Sequence, residues 1–283
     1  MGMTAPGNIA RLAYIAPPEV AVITNISLVH ACSFESLEEI ALTKAEIFSQ
    51  SKTRLGILPY ETPNYFLISQ QGHCHKLSIS TFSSEADYFL DESCIVHAKV
   101  EKKNIPIGSV SLPGKHNRHN FLTAAVVARH FNIGWEEIIK EMPHLKLPEK
   151  RLQFIDHKGI HFLNDSYNAA ENSVKGALEA LPLPKAGGRK IAILGSMMEL
   201  GKFSVGCHTR VGEYALTHVD SVFCLGEECQ PIYEIFKRAG RDSEIFLERD
   251  QLVLHLRSVL RPSDVVLLKG SCSKELWKVL DEL

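Results

Sequence analysis

The chain has 283 residues, 45% hydrophobic and 23% charged, with a formal net charge of −2. That length allows two domains, and a charge so near neutral gives no electrostatic case for nucleic acid or an anionic membrane. No apolar run reaches transmembrane length and no basic segment followed by an apolar stretch opens the chain, so a cytoplasmic protein without membrane insertion is expected.

The first strand is expected over Glu19 to Ile26, an apolar run rich in β-branched residues and announced by Pro17-Pro18. His30 follows in the loop beyond its carboxyl end, where open α/β sheets place their ligands. Ser36 and Glu39 have the spacing of a capping box, so a helix starts there. Its apolar face is Leu37, Ile40, Ala41 and Phe48, and Lys44 shares that face. Desolvation lowers a lysine's pKa and leaves a nucleophilic amine. Such an amine can take up carbon dioxide as a carbamate and, with His30, hold a hard divalent ion such as Mg2+. The alternative is a Lys44 that snorkels to water and a His30 that caps a loop.

From Leu55 to Val110 an antiparallel sheet is expected, with Tyr65–Ile68 and Cys94–Val100 among its strands. Gly72-His73-Cys74-His75 reads as a surface turn between two short strands rather than as a metal site. Helices follow from about Asn117 to Phe131 and from Trp135 to Glu141, and residues 142–150 read as a linker. This divides the chain into domains 1–149 and 150–283.

The second domain begins with a hairpin, Leu152–Asp156 and Ile160–Asn164, turning at Lys158-Gly159. Apolar strands at Lys190–Leu194, Ser221–Leu225, Glu244–Leu247 and Asp264–Leu268 then alternate with helices, and a helix closes the chain over Lys274–Leu283. That alternation predicts a mostly parallel, doubly wound sheet. Seven scattered cysteines, none in a two-residue spacing, read as free thiols in a reducing compartment.

Three runs carry groups suited to nucleotide. Gly114-Lys115-His116-Asn117-Arg118-His119-Asn120 opens an alanine-rich helix. Asparagine offers a donor and an acceptor to the edge of adenine, and Asn117 could also cap the helix. Arg151, just past the linker, offers a planar guanidinium to phosphate. Asp165, at the end of a strand, suits ribose hydroxyls, and Tyr167 could pack on a base or sugar; an ordinary Asx turn is the other reading. Lys269, also near a strand's end, is either a carboxylate or phosphate contact or a solvated lysine.

Taken together these runs resemble the Mur ligases of bacterial cell-wall synthesis. The likeness rests on Ile23-Thr24-Asn25-Ile26, His30, Phe34-Glu35-Ser36-Leu37 and Lys44-Ala45-Glu46-Ile47-Phe48. The run at 114–120 is similar to the family's Gly-x-His-Asn-x-x-Asn, and Asp165-Ser166-Tyr167-Asn168-Ala169 to its Asp-x-Tyr-Asn-Ala, with Ala170-Glu171 replacing Asn-Pro. Leu194-Gly195-Ser196-Met197-Met198-Glu199-Leu200-Gly201 resembles Leu-Gly-Asp-Met-x-Glu-Leu-Gly with Ser196 in the aspartate's place. Lys269-Gly270-Ser271-Cys272 resembles Lys-Gly-Ser-Arg with Cys272 in the arginine's place.

The resemblance implies an α/β fold: a partial central ATPase-type mixed sheet followed by a Rossmann-like C-terminal domain. It implies ATP-dependent addition of D-alanyl-D-alanine to UDP-N-acetylmuramoyl-tripeptide, with ATP and Mg2+. On it, a carbamylated Lys44 and His30 hold the metal, and Asn120, Arg151, Asp165, Tyr167 and Asn168 handle nucleotide. Lys269 and Ser271 meet the substrate. A folylpolyglutamate synthase-like ligase, or a non-catalytic binding or complementing fragment, stays open beside that reading.

The family's phosphate-binding loop, a glycine-rich turn ending in Gly-Lys-Ser/Thr, does not occur in these residues. The expectation is a truncated or mis-started product without appreciable ligase activity of its own, completed by a separate N-terminal piece if one exists. Its second domain is expected to fold independently.

Overall fold

The computed structural model describes every residue of the chain except His30 and Ser111. It divides into two compact units, Met1–Lys146 and Leu147–Leu283.

The first unit contains α1 (Asn8–Ile15), β1 (Val20–Val22), α2 (Leu37–Ala45), β2 (Leu55–Pro59), α3 (Tyr65–Ser69) and β3 (His75–Ser80). After them come β4 (Tyr88–Leu90), β5 (Ile95–Ala98), β6 (Lys103–Pro106), α4 (Lys115–His130) and α5 (Trp135–Glu141). The sheet runs β1-β2-β3-β4-β5-β6 in chain order. Its first four strands are parallel, and only β4-β5-β6 is antiparallel.

The expected antiparallel sheet over 55–110 is therefore corrected to a mixed one. Tyr65–Ile68 is helical, because parallel β2 and β3 need a crossover between them. The burial agrees: Ile68 is buried while Phe66 is 74% exposed, which one face of a strand does not permit. The Gly72–His75 turn consequently joins a helix to a strand. A much shorter link leads from β3 to its parallel neighbour β4. There Asp87 Oδ2 accepts from Ser78 N–H and Ser78 Oγ, and Ser80 Oγ accepts from the N–H groups of Phe82 and Ser83.

The sheet is buried on both faces, as parallel sheets are. Ile57, Ile79 and Val96 pack with Phe121 and Leu122 of α4, while Ala21 and Leu58 pack with Ala41, Ala45, Phe48 and Ile68. Adjacent Ile57 and Leu58 serve opposite faces, the period of two expected of a strand.

The second unit contains β7 (Gln153–His157), β8 (Ile160–Asn164), α6 (Glu171–Glu179), β9 (Lys190–Gly195), α7 (Ser204–Leu216) and β10 (Ser221–Leu225). It continues with α8 (Gln230–Arg238), β11 (Ser243–Phe246), α9 (Arg249–Val259), β12 (Val265–Lys269) and α10 (Lys278–Glu282). Strand order is β11-β10-β9-β12-β8-β7, parallel except for the β7–β8 hairpin. Lys158 and Gly159 turn that hairpin at φ 53° and 79°, positive values that match the twist of the flanking strands. The sheet is mostly parallel and wound to both sides of β9, as the alternation predicts.

The chain winds from β9 outward through β10 and β11, then returns to insert β12 on the other side of β9. That reversal is a topological switch point, where ligands bind at strand carboxyl ends. Gly195 and Gly270 line it back to back; a Cβ on Gly270 would lie 3.0 Å from Gly195 Cα. The closing helix is shorter than expected, because Glu275 at φ 48° separates the 3₁₀ turn Cys272–Lys274 from α10.

Candidate functional sites

In the first unit the polar groups gather at the carboxyl ends of β1, β2 and β3, which share one edge because the strands are parallel. The expected eight-residue first strand ends at Val22. Ile23 still donates to the Ile57 carbonyl, at 2.9 Å, and the chain then leaves the sheet. It leaves so that the Asn25 carbonyl can accept from Lys44 Nζ at 2.9 Å.

Lys44 stands in the last turn of α2, whose start is fixed by Ser36 Oγ accepting from Glu39 N–H. The Glu39 carboxylate reaches back one residue further than a capping box requires and accepts from Glu35 N–H. Lys44 is half-buried, and burial pushes its pKa down. Its ammonium is thus turned to a loop carbonyl rather than out to water. His30 lies outside the described residues.

Gly114, at φ 86°, opens α4, so Asn117 sits one turn inside the helix rather than at its cap. It is buried, donates to the Pro113 carbonyl and accepts from Asn120 Nδ2 at 3.2 Å. Asn120 is exposed, and its side chain is oriented by that bond. Sequence reasoning missed two residues here. Glu61, after β2, accepts from Ser80 Oγ at the end of β3, and it acts electrostatically on His119, whose pKa burial depresses. Glu61 had no motif to announce it, because only the parallel register brings the ends of β2 and β3 together, and His119 stands at a place in the 114–120 run that the motif leaves unspecified.

In the second unit Asp165 and Lys269 come together as a buried ion pair, with Nζ 2.6 Å from Oδ2. Lys269 also donates to the carbonyls of Asn168, at 2.8 Å, and Asp165, at 3.3 Å. Asp165 Oδ1 accepts from Leu152 N–H. Each ammonium donor has an acceptor, which is how a buried charge is tolerated. Burial lowers the Lys269 pKa, Asp165 opposes that shift, and Arg151 adds to it. The pair ties the 165–168 loop to β12. Tyr167 and Asn168 are left exposed, with the Arg151 guanidinium 4.3 Å from the Tyr167 ring centroid.

After Asn168 the chain departs from Asn-Pro without losing the helix start. Ser173 Oγ accepts from Ala170 N–H, and Glu171 places its carboxylate in the first turn of α6, where the helix dipole favours it. Ser271 is buried at the mouth of the switch point. Its N–H donates to the Ser196 carbonyl at 3.3 Å, linking the β9 and β12 ends, and its Oγ accepts from Ser273 Oγ. Among the described residues no group of three or more His, Cys, Asp or Glu side chains is placed to hold a metal, and no helix is long and apolar enough to cross a membrane.

Two mostly parallel sheets, each with polar side chains at its strand carboxyl ends, define an α/β protein of two compact units. Residues 1–128 match the Mur ligase middle domain and residues 150–272 match the Mur ligase, glutamate ligase domain; the chain belongs to the Mur ligase family. It is 30% identical over 295 residues to the UDP-N-acetylmuramoyl-tripeptide–D-alanyl-D-alanine ligase of Bacillus subtilis, covering 100% of this chain and 63% of that protein. It is 29% identical over 297 residues to the enzyme of the same name from Escherichia coli, covering 100% and 64%.

Among solved structures it is similar to MurF from Acinetobacter baumannii, with a TM-score of 0.84 at 23% identity over 100% of this chain and 63% of that one. It is also similar to MurF ligase from Thermotoga maritima, solved in complex with ADP, with a TM-score of 0.77 at 24% identity over 99% and 64%. The chain thus spans a little under two thirds of the length of these relatives.

Proposed function

We propose that this chain carries the metal-, nucleotide- and amine-handling parts of an ATP-dependent amide ligase that adds D-alanyl-D-alanine to UDP-N-acetylmuramoyl-tripeptide in peptidoglycan synthesis. The observation that carries the reading is Lys44, a half-buried lysine of lowered pKa in the last turn of α2, whose ammonium donates to the Asn25 carbonyl just beyond the carboxyl end of β1. The neutral amine of such a lysine adds carbon dioxide, forming an N–C bond and releasing a proton, and becomes an oxygen donor of the kind Mg2+ prefers.

Lys44 fits that task, and with His30 it would hold the metal. Asn120, oriented by Asn117, would meet adenine, and Arg151 would meet phosphate from its stacked position on Tyr167. Asp165 acts through Lys269, holding the loop that presents Tyr167 and Asn168 to the sugar. Lys269 is thereby a positioning residue, and Ser271 stands at the crevice where the amine substrate would enter. ATP and Mg2+ supply activation of the tripeptide carboxylate, and the dipeptide amine then forms the amide bond.

The test is to purify the protein as its own cell produces it, record its intact mass, and supply ATP, Mg2+, UDP-N-acetylmuramoyl-tripeptide and a panel of amines. Formation of the UDP-linked pentapeptide with D-alanyl-D-alanine alone is expected from a native protein heavier than 31.6 kDa, or from this chain supplied with a separate N-terminal piece, and none from this chain by itself. Turnover of a folate with glutamate in its place, or no amide product with any amine from the heavier or completed protein, would overturn the proposal.

A further inference from the structure

The carboxyl ends of β9, β10 and β12 hold two charges that the ligase reading has not used. Glu228, in the short 3₁₀ turn after β10, accepts from Ser196 Oγ at 2.6 Å. Lys274 ends the 3₁₀ turn after β12. Lys274 and the hydroxyl that Glu228 binds converge on Gly226: a Cβ there would lie 2.2 Å from Ser196 Oγ and 2.7 Å from Lys274 Nζ, and φ at that glycine is +108°. A hydroxyl and an ammonium therefore crowd one spot that only glycine leaves open, and the Glu228 carboxylate lies one hydrogen bond beyond that hydroxyl.

Both charges are half-buried. Among the described residues no ion pair joins them, so each retains capacity for a ligand of opposite sign. Glu228 is held below the ordinary carboxylate range, by the Ser196 hydrogen bond first and then by its own backbone N–H. Lys274 adds attraction. The His208 ring also lies at this spot. It is buried, accepts from Met197 N–H at Nε2 and donates from Nδ1 to the Ser204 carbonyl.

Glu228 and Lys274 thus place one negative and one positive charge at the same mouth of the sheet. We propose that Glu228 and Lys274 form the pair that recognises a zwitterionic peptide, with its ammonium on Glu228 and its carboxylate on Lys274. The inference rests on the ligase reading for the choice of D-alanyl-D-alanine as that peptide. The geometry asks for a substrate with both charges within one dipeptide length.

The test is an amide-resolved NMR titration of the full chain with D-alanyl-D-alanine, its N-acetyl derivative and its C-terminal amide. The free dipeptide is expected to move the Ser196, Gly226 and Lys274 signals. Glu228→Gln, which keeps an acceptor for Ser196 Oγ, and Lys274→Met are each expected to weaken binding about tenfold, the scale of one lost charge-assisted contact. The N-acetyl derivative should not distinguish wild type from Glu228→Gln, nor the amide wild type from Lys274→Met. Adding Ser196→Asp to Glu228→Gln should restore affinity for the dipeptide.

Dipeptide binding unchanged in both single variants, or no movement of these three amides at millimolar dipeptide, overturns the pair. Pentapeptide formation by the native protein judges the ligase reading separately. If product forms while Glu228→Gln leaves the KM for dipeptide unchanged, the pair falls and the ligase stands. If no product forms, the ligase reading falls and the titration still decides the pair.

Discussion

Lys269→Met should be among the most damaging single changes in the second unit. The methionine stem fills the same volume, so the loss is electrostatic. Lys269 Nζ gives up the Asp165 carboxylate at 2.6 Å and the carbonyls of Asn168 and Asp165 at 2.8 and 3.3 Å. Asp165 keeps only the Leu152 N–H among these partners. Removing one partner of a buried pair costs about 3–5 kcal/mol, and that range is expected here.

Urea unfolding followed by Trp277 fluorescence in a Trp135→Phe background reports on this unit, since these are the two tryptophans of the chain. The double variant Asp165→Asn with Lys269→Met should cost less than the sum of its singles. A single-variant cost under about 1 kcal/mol, far below the range for a broken buried pair, would refute the reasoning, as would a double variant that costs as much as the sum of its singles.

Carbon-13 bicarbonate added to the protein should give a carbamate NMR signal that Lys44→Arg abolishes; a signal that persists in the variant would move the chemistry elsewhere. The Glu171 carboxyl is held at about 2, since hydrogen bonds and charge from Arg210 and Lys175 outweigh its partial burial. Its contribution is present above 4.5 and lost as pH falls through about 2. The full shift corresponds to about 3 kcal/mol, which solvent around the half-exposed Arg210 reduces to about 1–2 kcal/mol. Glu171→Gln should therefore flatten the acid limb of stability between those values, and an unchanged acid limb would remove this pair from the account. Limited trypsin digestion should cut first in the exposed 143–149 stretch, after Lys146. Earlier cleavage after Lys190 in β9 or Lys269 in β12 would contradict the proposed independence of residues 150–283.

Much of the second unit was legible in the sequence. Each buried parallel strand is an uninterrupted apolar run bounded by turn residues, so Ser221–Leu225 reads directly and the Lys158-Gly159 turn announces its hairpin. The first unit was harder. Tyr65–Ile68 has the composition of a strand, and only the need to cross between parallel β2 and β3 makes it a helix. A short apolar run carries no periodicity of its own with which to choose.

The site divides along the same line. The sequence by itself singled out the candidate residues, because Lys44 on an apolar helix face and Asp165 at a strand end are conspicuous against their neighbours. It also determined the family, through runs that survive individual replacements. Only the tertiary structure decided what those groups touch. It committed Lys269 to Asp165 across more than a hundred residues of chain, turned Lys44 to the Asn25 carbonyl, and brought Lys274 beside the Ser196 hydroxyl that Glu228 binds. Such pairings depend on strand order and register, which place distant segments side by side, and no local spacing encodes them.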